Sequence, residues 1–268
     1  MFKVSILIMV LWFVLPLNEP TRATTLGTQQ PVSREVEQKA EVPSAKELLQ
    51  ASDSARGGDI DGLVIRSTVT SYSDGKEQKS YGLQIESDRN NTLAIFLSPP
   101  RSKGVKMLMQ QRNMWFLSPE VSKPVPISPR QRLLGEASNG DIATTNYSRD
   151  YDATIIDADV VQGIPCYVLS LKAKSKNVTY DKIIYYIAKE SKLGLKSEYY
   201  TVSDKRFKTA YLEYNNVFKD NGKTFSFVSR MEIIDELNDR HKTILTYSDV
   251  ESKRIPPSRF DKMLLMQH

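Results

Sequence analysis

The run from Ser98 to Ser128, SPPRSKGVKMLMQQRNMWFLSPEVSKPVPIS, decides how this chain folds. Two apolar stretches, Val105 to Met109 and Met114 to Leu117, flank a polar turn around Gln110 to Asn113, the pattern of an antiparallel hairpin. Pro99 and Pro100 end the strand before it, Thr92 to Leu97, because proline cannot donate to a ladder. Between Arg101 and Arg132 seven basic side chains stand against one acid, Glu120, whereas the whole chain carries a net charge of only +5. Set among Met107, Leu108, Met109, Met114, Trp115 and Phe116, those cations read as the rim of something apolar. Methionine and tryptophan offer adaptable contact area, and lysine and arginine neutralise an anionic group or dock on an acidic surface. A solvated basic loop is the plainer reading of the same residues.

Working outward, the period of two continues on both sides. Leu63, Ile65 and Val69 alternate with Arg66, Thr68 and Thr70, and after the turn Ser73-Asp74-Gly75 the pattern resumes with Tyr81, Leu83 and Ile85. Ahead of this, Ser44 and Glu47 have capping-box spacing and Gly57-Gly58 can close a helix, so a short helix is expected from Ser44 to Arg56. A second short helix is expected at Pro129 to Leu134, with Gly135 as its stop, and a third at Ser138 to Asn146. Strands then return at Tyr151 to Val161, Cys166 to Ala173, Lys182 to Lys189, Leu195 to Thr201, Phe207 to Tyr214, Thr224 to Glu236 and His241 to Val250. Their regular spacing predicts a continuous meander. The chain is therefore mainly β, with a few short helices that interrupt it as a lid would.

The first residues set the compartment. Lys3 gives a positive start, Val4 to Leu17 an apolar core, and Thr21-Arg22-Ala23 a small-residue cleavage site, so residues 1–23 are expected to be an export signal. The apolar run is shorter than the roughly 18 to 20 residues that span a bilayer. Residues 24–43 are polar and lack aromatics, as in a flexible leader, and one domain is expected over 44–268. The sequence pI of about 9.0 would suggest nucleic acid in a cytosolic protein, but export removes that class and leaves membrane surfaces or acidic proteins as partners. One cysteine, Cys166, permits no disulfide within the chain.

The catalytic inventory is thin. With only His241 and His268, neither a histidine-based zinc site nor a Ser-His-Asp triad is supported. Cys166 begins a strand and has no nearby base. The carboxylates at Asp59, Asp61, Asp150, Asp152, Asp157 and Asp159 lack calcium-loop spacing and read as turn and strand-edge residues. No phosphate loop, nucleophile elbow or dinucleotide fingerprint occurs. No catalytic residue, metal or cofactor is expected.

Several separated blocks in order carry a resemblance: Pro100 to Leu108, Asn113 to Leu117, Pro126 to Ser128, Gln131 to Gly135, Asp150 to Ala153 and Gly163 to Leu169, followed by Arg230-Met231-Glu232 and Leu245 to Val250. Together they resemble the bacterial outer-membrane lipoprotein-sorting family, over a span from about Ala45 to the C-terminus. The resemblance implies a LolA-like fold, a curved antiparallel incomplete β-barrel covered by helices around an apolar cavity. It also implies a periplasmic carrier that binds acyl chains without covalent chemistry and works with an inner-membrane exporter. The turn Arg101-Ser102-Lys103-Gly104 departs from the family's Arg-Pro-Gly type, which leaves the cargo open between lipoprotein and free lipid. Alternation assigns the cavity lining to Leu83, Ile85, Ile95, Met107, Met109, Trp115, Leu117, Leu169 and Tyr185, and head-group or partner docking to Arg101, Lys103 and Lys106. The rival reading is an envelope-stress sensor or adaptor that uses the same sheet, with a filled core, to bind protein.

Overall fold

Asp74 and Gly75 both take positive φ, 52° and 74°, and this two-residue turn sets the frame of the fold. It joins β1 (Leu63–Ser73) to β2 (Lys76–Ser87) so that Ile65 faces Ile85 and Ser67 faces Leu83. The computed structural model describes residues 43–58, 60–143 and 146–267. The expected export signal and, Pro43 apart, the leader lie outside the described residues, as do Asp59, Thr144 and Thr145.

From β2 the chain steps outward through β3 (Asn91–Ser98), β4 (Lys106–Gln110), β5 (Asn113–Leu117) and β6 (Val125–Ile127). A small hairpin, β7 (Arg132–Leu134) with β8 (Ala137–Ser138), leads to a second arm. That arm runs through β9 (Tyr151–Val161), β10 (Ile164–Ala173), β11 (Lys182–Ala188), β12 (Gly194–Tyr200) and β13 (Arg206–Glu213). After a separate two-stranded hairpin, β14 (Asn216–Asp220) with β15 (Lys223–Phe227), the chain returns as β16 (Arg230–Asp235) and β17 (His241–Ser252).

The meander expected for the second half is present as β9-β10-β11-β12-β13-β16-β17, with the β14–β15 hairpin set apart from it. The large sheet has 13 antiparallel strands in the order β6-β5-β4-β3-β2-β1-β17-β16-β13-β12-β11-β10-β9, two meanders fused where the first strand pairs with the last. The strand expected over Thr224 to Glu236 is broken because the Val228 N–H bonds the Ala55 carbonyl at the end of the first helix instead of a ladder partner.

The sheet does not close into a barrel: β6 and β9 are its edges. Pro124 and Pro126 remove donors at the short β6 edge. On β9 the carboxylates of Asp157 and Asp159 accept the N–H groups of Ala158 and Val160, each at 2.7 Å, consuming two edge donors locally.

Helix α1 (Ala45–Ser54) has the expected capping box: the Glu47 N–H donates to the Ser44 hydroxyl at 3.3 Å, and Glu47 accepts the Ser44 N–H at 2.8 Å. Its buried face, Leu48, Leu49, Ser52 and Asp53, joins the main core with Leu63, Ile65, Val69, Leu83, Ile85, Phe96, Met107, Leu169 and Tyr185. The sheet face carrying this core is called the inner face below. The other two expected helices differ. Pro129 to Leu134 forms a turn running into β7, because Leu134 and Ala137 are drawn into the core and Gly135, at a φ of 52°, lies against Ser71 and Thr243. Within Ser138 to Asn146 the described residues form a 3-10 turn at Asn139–Asp141, and α2 (Tyr147–Asp150) follows.

On the outer face of the first arm lies a strap that the sequence reading did not foresee. Residues beyond β17 form a 3-10 turn at Pro257–Phe260 and helix α3 (Lys262–Met266), capped by Asp261. Ile255, Phe260 and Leu265 pack on Leu93, Leu108 and Leu117. Arg259 grips Glu86 through two bonds of 2.6 and 2.7 Å, and Lys106 Nζ donates to the Leu265 carbonyl at 2.9 Å. Among the described residues no helix is long and apolar enough to cross a membrane.

Candidate functional site

A cavity of about 550 Å³ lies between the inner face of the first arm and the 129–139 segment. Each strand contributes one side chain through its alternation: Tyr81 from β2, Phe96 from β3, Met107 from β4, Phe116 from β5 and Ile127 from β6. Val105, Arg101 and Ser102 come from the turn after β3, and Gln131, Arg132, Leu133 and Asn139 close the opposite wall. Tyr81 and Phe96 meet edge to face with ring centroids 5.2 Å apart. Ligand pockets run from roughly 300 to 1,000 Å³, and seven of the twelve residues lining this one are apolar or aromatic. No aspartate or glutamate lines it.

The opposite wall is fixed to the sheet by buried polar bonds. The Glu136 N–H donates to Thr243 Oγ1 at 2.7 Å, and Lys208 Nζ donates to the Glu136 carbonyl at 2.5 Å. Burial pulls the Lys208 ammonium below its ordinary value. Asp141 accepts the Tyr180 hydroxyl at 2.8 Å and the Ser138 N–H at 2.8 Å, while its burial pushes the carboxyl up.

Beyond this wall the interior is filled. Asp53, at the end of α1, accepts the N–H groups of Tyr147 and Ser148 at 2.9 and 2.8 Å and so clamps α1 to α2; burial pushes its carboxyl up to about 7. The Arg56 guanidinium lies 5.2 Å from the centre of the Tyr147 ring, and the Tyr185 hydroxyl is paired with Ser52 at 2.7 Å.

The nine lining residues expected from alternation do not share one place. Leu83, Ile85, Leu169 and Tyr185 are buried in the inner core, and Met107 lines the cavity. Met109 lines a separate polar recess of about 40 Å³ beside Arg112 and Asp150. Ile95, Trp115 and Leu117 are on the outer face under the C-terminal strap, with Lys262 Nζ 3.8 Å from the centre of the Trp115 ring. The reason is parity. The turn between β4 and β5 has two residues, Gln111 and Arg112, so Met107 stands opposite Phe116 and Leu108 opposite Trp115. A one-residue difference in pairing exchanges the faces. Phe96 and Phe116, the neighbours of two of the residues expected, are the ones that line the cavity. Of the basic trio, Arg101 lies at the cavity, Lys103 is exposed in the same turn, and Lys106 is committed to the strap on the other face.

Several of the carboxylates noted in the sequence are held in ion pairs. Asp150 pairs with Arg112 and Arg149 at 3.0 Å each, and Asp61 with Arg89 at 2.5 Å. Cys166 is buried, which raises its thiol pKa. Among the described residues no group of three or more His, Cys, Asp or Glu could hold a metal ion.

With this geometry in hand, likeness to known proteins is informative. The model of an uncharacterized protein family matches residues 88–267. A LolA superfamily protein from Nitrosomonas europaea superposes with a TM-score of 0.73 at 27% identity, covering 82% of this chain and 99% of that one. A DUF1329 family protein from Desulfovibrio piger gives 0.70 at 20% identity, covering 82% and 97%. An outer-membrane lipoprotein-sorting protein domain from Vibrio parahaemolyticus gives 0.70 at 18% identity, covering 83% and 98%. Comparison with curated proteins found no match. The chain belongs to the uncharacterized family whose model matches residues 88–267, and its fold is similar to those of a LolA superfamily protein and an outer-membrane lipoprotein-sorting protein domain.

Proposed function

We propose that this protein is a periplasmic carrier that takes the acyl chains of a lipid or lipoprotein into the inner-face cavity and moves them between membranes. The observation that supports this reading is a cavity of about 550 Å³ with seven apolar or aromatic lining residues and no lining carboxylate. Each methylene removed from water contributes about 0.8 kcal/mol, so a chain of lipid length crosses an aqueous space at a useful rate only inside such a container. In this reading α1 and the β7–β8 hairpin are the lid of an incomplete barrel, and opening that lid exposes further apolar surface from the inner core. The carrier does no covalent chemistry, receives cargo from an inner-membrane exporter, touches the membrane surface transiently through its basic turn, and serves the building of the outer membrane.

One observation favours the sensor or adaptor as a second reading. The interior between α1 and β10 to β13 is closed by side chains and clamped by Asp53, as a protein-binding module with a solid core would be. Native mass spectrometry of the exported chain, with lipid extraction of the same sample, separates the two. A stoichiometric acyl-bearing adduct is the carrier's result. A clean apo mass after deliberate loading with phospholipid contradicts the carrier and supports the adaptor.

A further inference from the structure

Two arginines line the cavity, Arg101 from the turn after β3 and Arg132 from β7, and among the described residues neither guanidinium has an ion pair or a hydrogen-bond partner. This sets them apart from their neighbours. Arg130, two residues away, is held by both oxygens of Asp181 at 2.7 and 2.8 Å, Arg112 by Asp150 at 3.0 Å, and Arg259 by Glu86 at 2.6 Å. The fold supplies carboxylates to those arginines and none to this pair. Both side chains are exposed at the mouth, where a ligand head would sit, and Phe96, Met107 and Phe116 supply apolar walls behind them.

We infer that the cavity selects amphiphiles whose head is an oxyanion with no cation of its own, either the phosphate of an acidic phospholipid or the carboxylate of a fatty acid. This rests on the carrier reading and goes beyond it by naming the cargo class. A guanidinium fork matches an oxyanion with two parallel hydrogen bonds, and two forks lining one cavity hold one head group. A zwitterionic head brings a cation to a mouth that holds two cations and no acid, and a neutral head leaves both guanidinium groups without a counter-charge.

The test uses the delipidated full exported chain and neutral carrier vesicles doped at one mole fraction with pyrene-labelled phosphatidylglycerol, fatty acid, phosphatidylcholine or diacylglycerol. Probe carried into the protein fraction on gel filtration is the readout. Phosphatidylglycerol, the fatty acid, or both should be taken up about tenfold more than the zwitterionic and neutral probes, consistent with charge-assisted bonds. Which of the two anionic probes is taken up names the source of the oxyanion. In the double variant Arg101→Gln with Arg132→Gln the ratio of anionic to neutral uptake should fall towards one, and each single variant should fall between. Equal uptake of diacylglycerol and phosphatidylglycerol by the natural protein, or an unchanged ratio in the double variant, overturns the selectivity while leaving the carrier in place. Uptake of none of the four probes overturns both.

Discussion

Replacing Asp53 by asparagine tests the clamp that holds α1 against α2. Burial raises the Asp53 carboxyl from 3.8 to about 7, against the pull of the two backbone N–H groups it accepts. An acid whose folded pKa is raised favours the fold when protonated. Its stabilising contribution is complete below pH 4, is lost as pH rises through 7, and is constant above. That rise corresponds to about 4 kcal/mol, of which roughly 2 to 3 kcal/mol falls between pH 5 and pH 8. Asparagine mimics the protonated acid and does not titrate. The difference in unfolding free energy between natural protein and variant should therefore change by roughly 2 to 3 kcal/mol between those two pH values, in favour of the variant at pH 8. Taking the difference cancels the other groups, including Asp141, which is also raised, and Glu86, Glu198 and Glu232, which are lowered by their cationic partners. Urea denaturation followed by circular dichroism at pH 5 and pH 8 measures it. A pH-independent difference, or one that favours the natural protein more strongly at pH 8, refutes the reasoning.

The parity of β5 gives a second expectation: Phe116→Asp should lower lipid retention by about tenfold or more, because it places a charge in the apolar cavity, whereas Trp115→Asp should leave retention intact and expose the C-terminal strap to proteolysis. Equal loss in both variants would contradict the assignment of faces. Gly135→Ala should cost about 2 to 4 kcal/mol in urea denaturation, since the residue combines a positive φ with a Cβ position occupied by Thr243 and Ser71, and a loss below about 0.5 kcal/mol would show that the turn yields easily.

Local chemistry made part of this fold legible. The Ser44 and Glu47 capping box, the Asp74-Gly75 turn and the alternating strands needed only near neighbours in the chain, and β9 runs over the residues expected, Tyr151–Val161. The pairing of β1 with β17 depends on residues at opposite ends of the chain, and no periodicity announces it. The hairpin at 132–138 was read as a helix because proline and glycine spacing fits both, and the decision comes from tertiary burial of Leu134 and Ala137. The strap was open to detection: Asp261 ahead of Met263, Leu264 and Leu265 is a capped apolar turn. Of the residues named from alternation and charge, Met107 and Arg101 line the cavity, whereas Ile95 and Trp115 lie on the outer face and their neighbours Phe96 and Phe116 line it instead. Counting the β4–β5 loop as two residues would have placed Met107 across from Phe116 and corrected that hairpin. The other arginine, Arg132, carries no local mark, since only the fold brings it to the same cavity as Arg101.

In the carrier reading the acyl chain lies on the inner face, between the first arm and the 129–139 segment. A fatty acid or phospholipid bearing a diazirine in its acyl chain, loaded on the protein, photolysed and mapped by peptide mass spectrometry, tests this most directly. Labels concentrated on Phe96, Met107, Phe116 and Leu133 are the predicted result. Labels on Trp115, Leu117 and the strap at 255–266, or none above the level of a non-binding control protein, would contradict it.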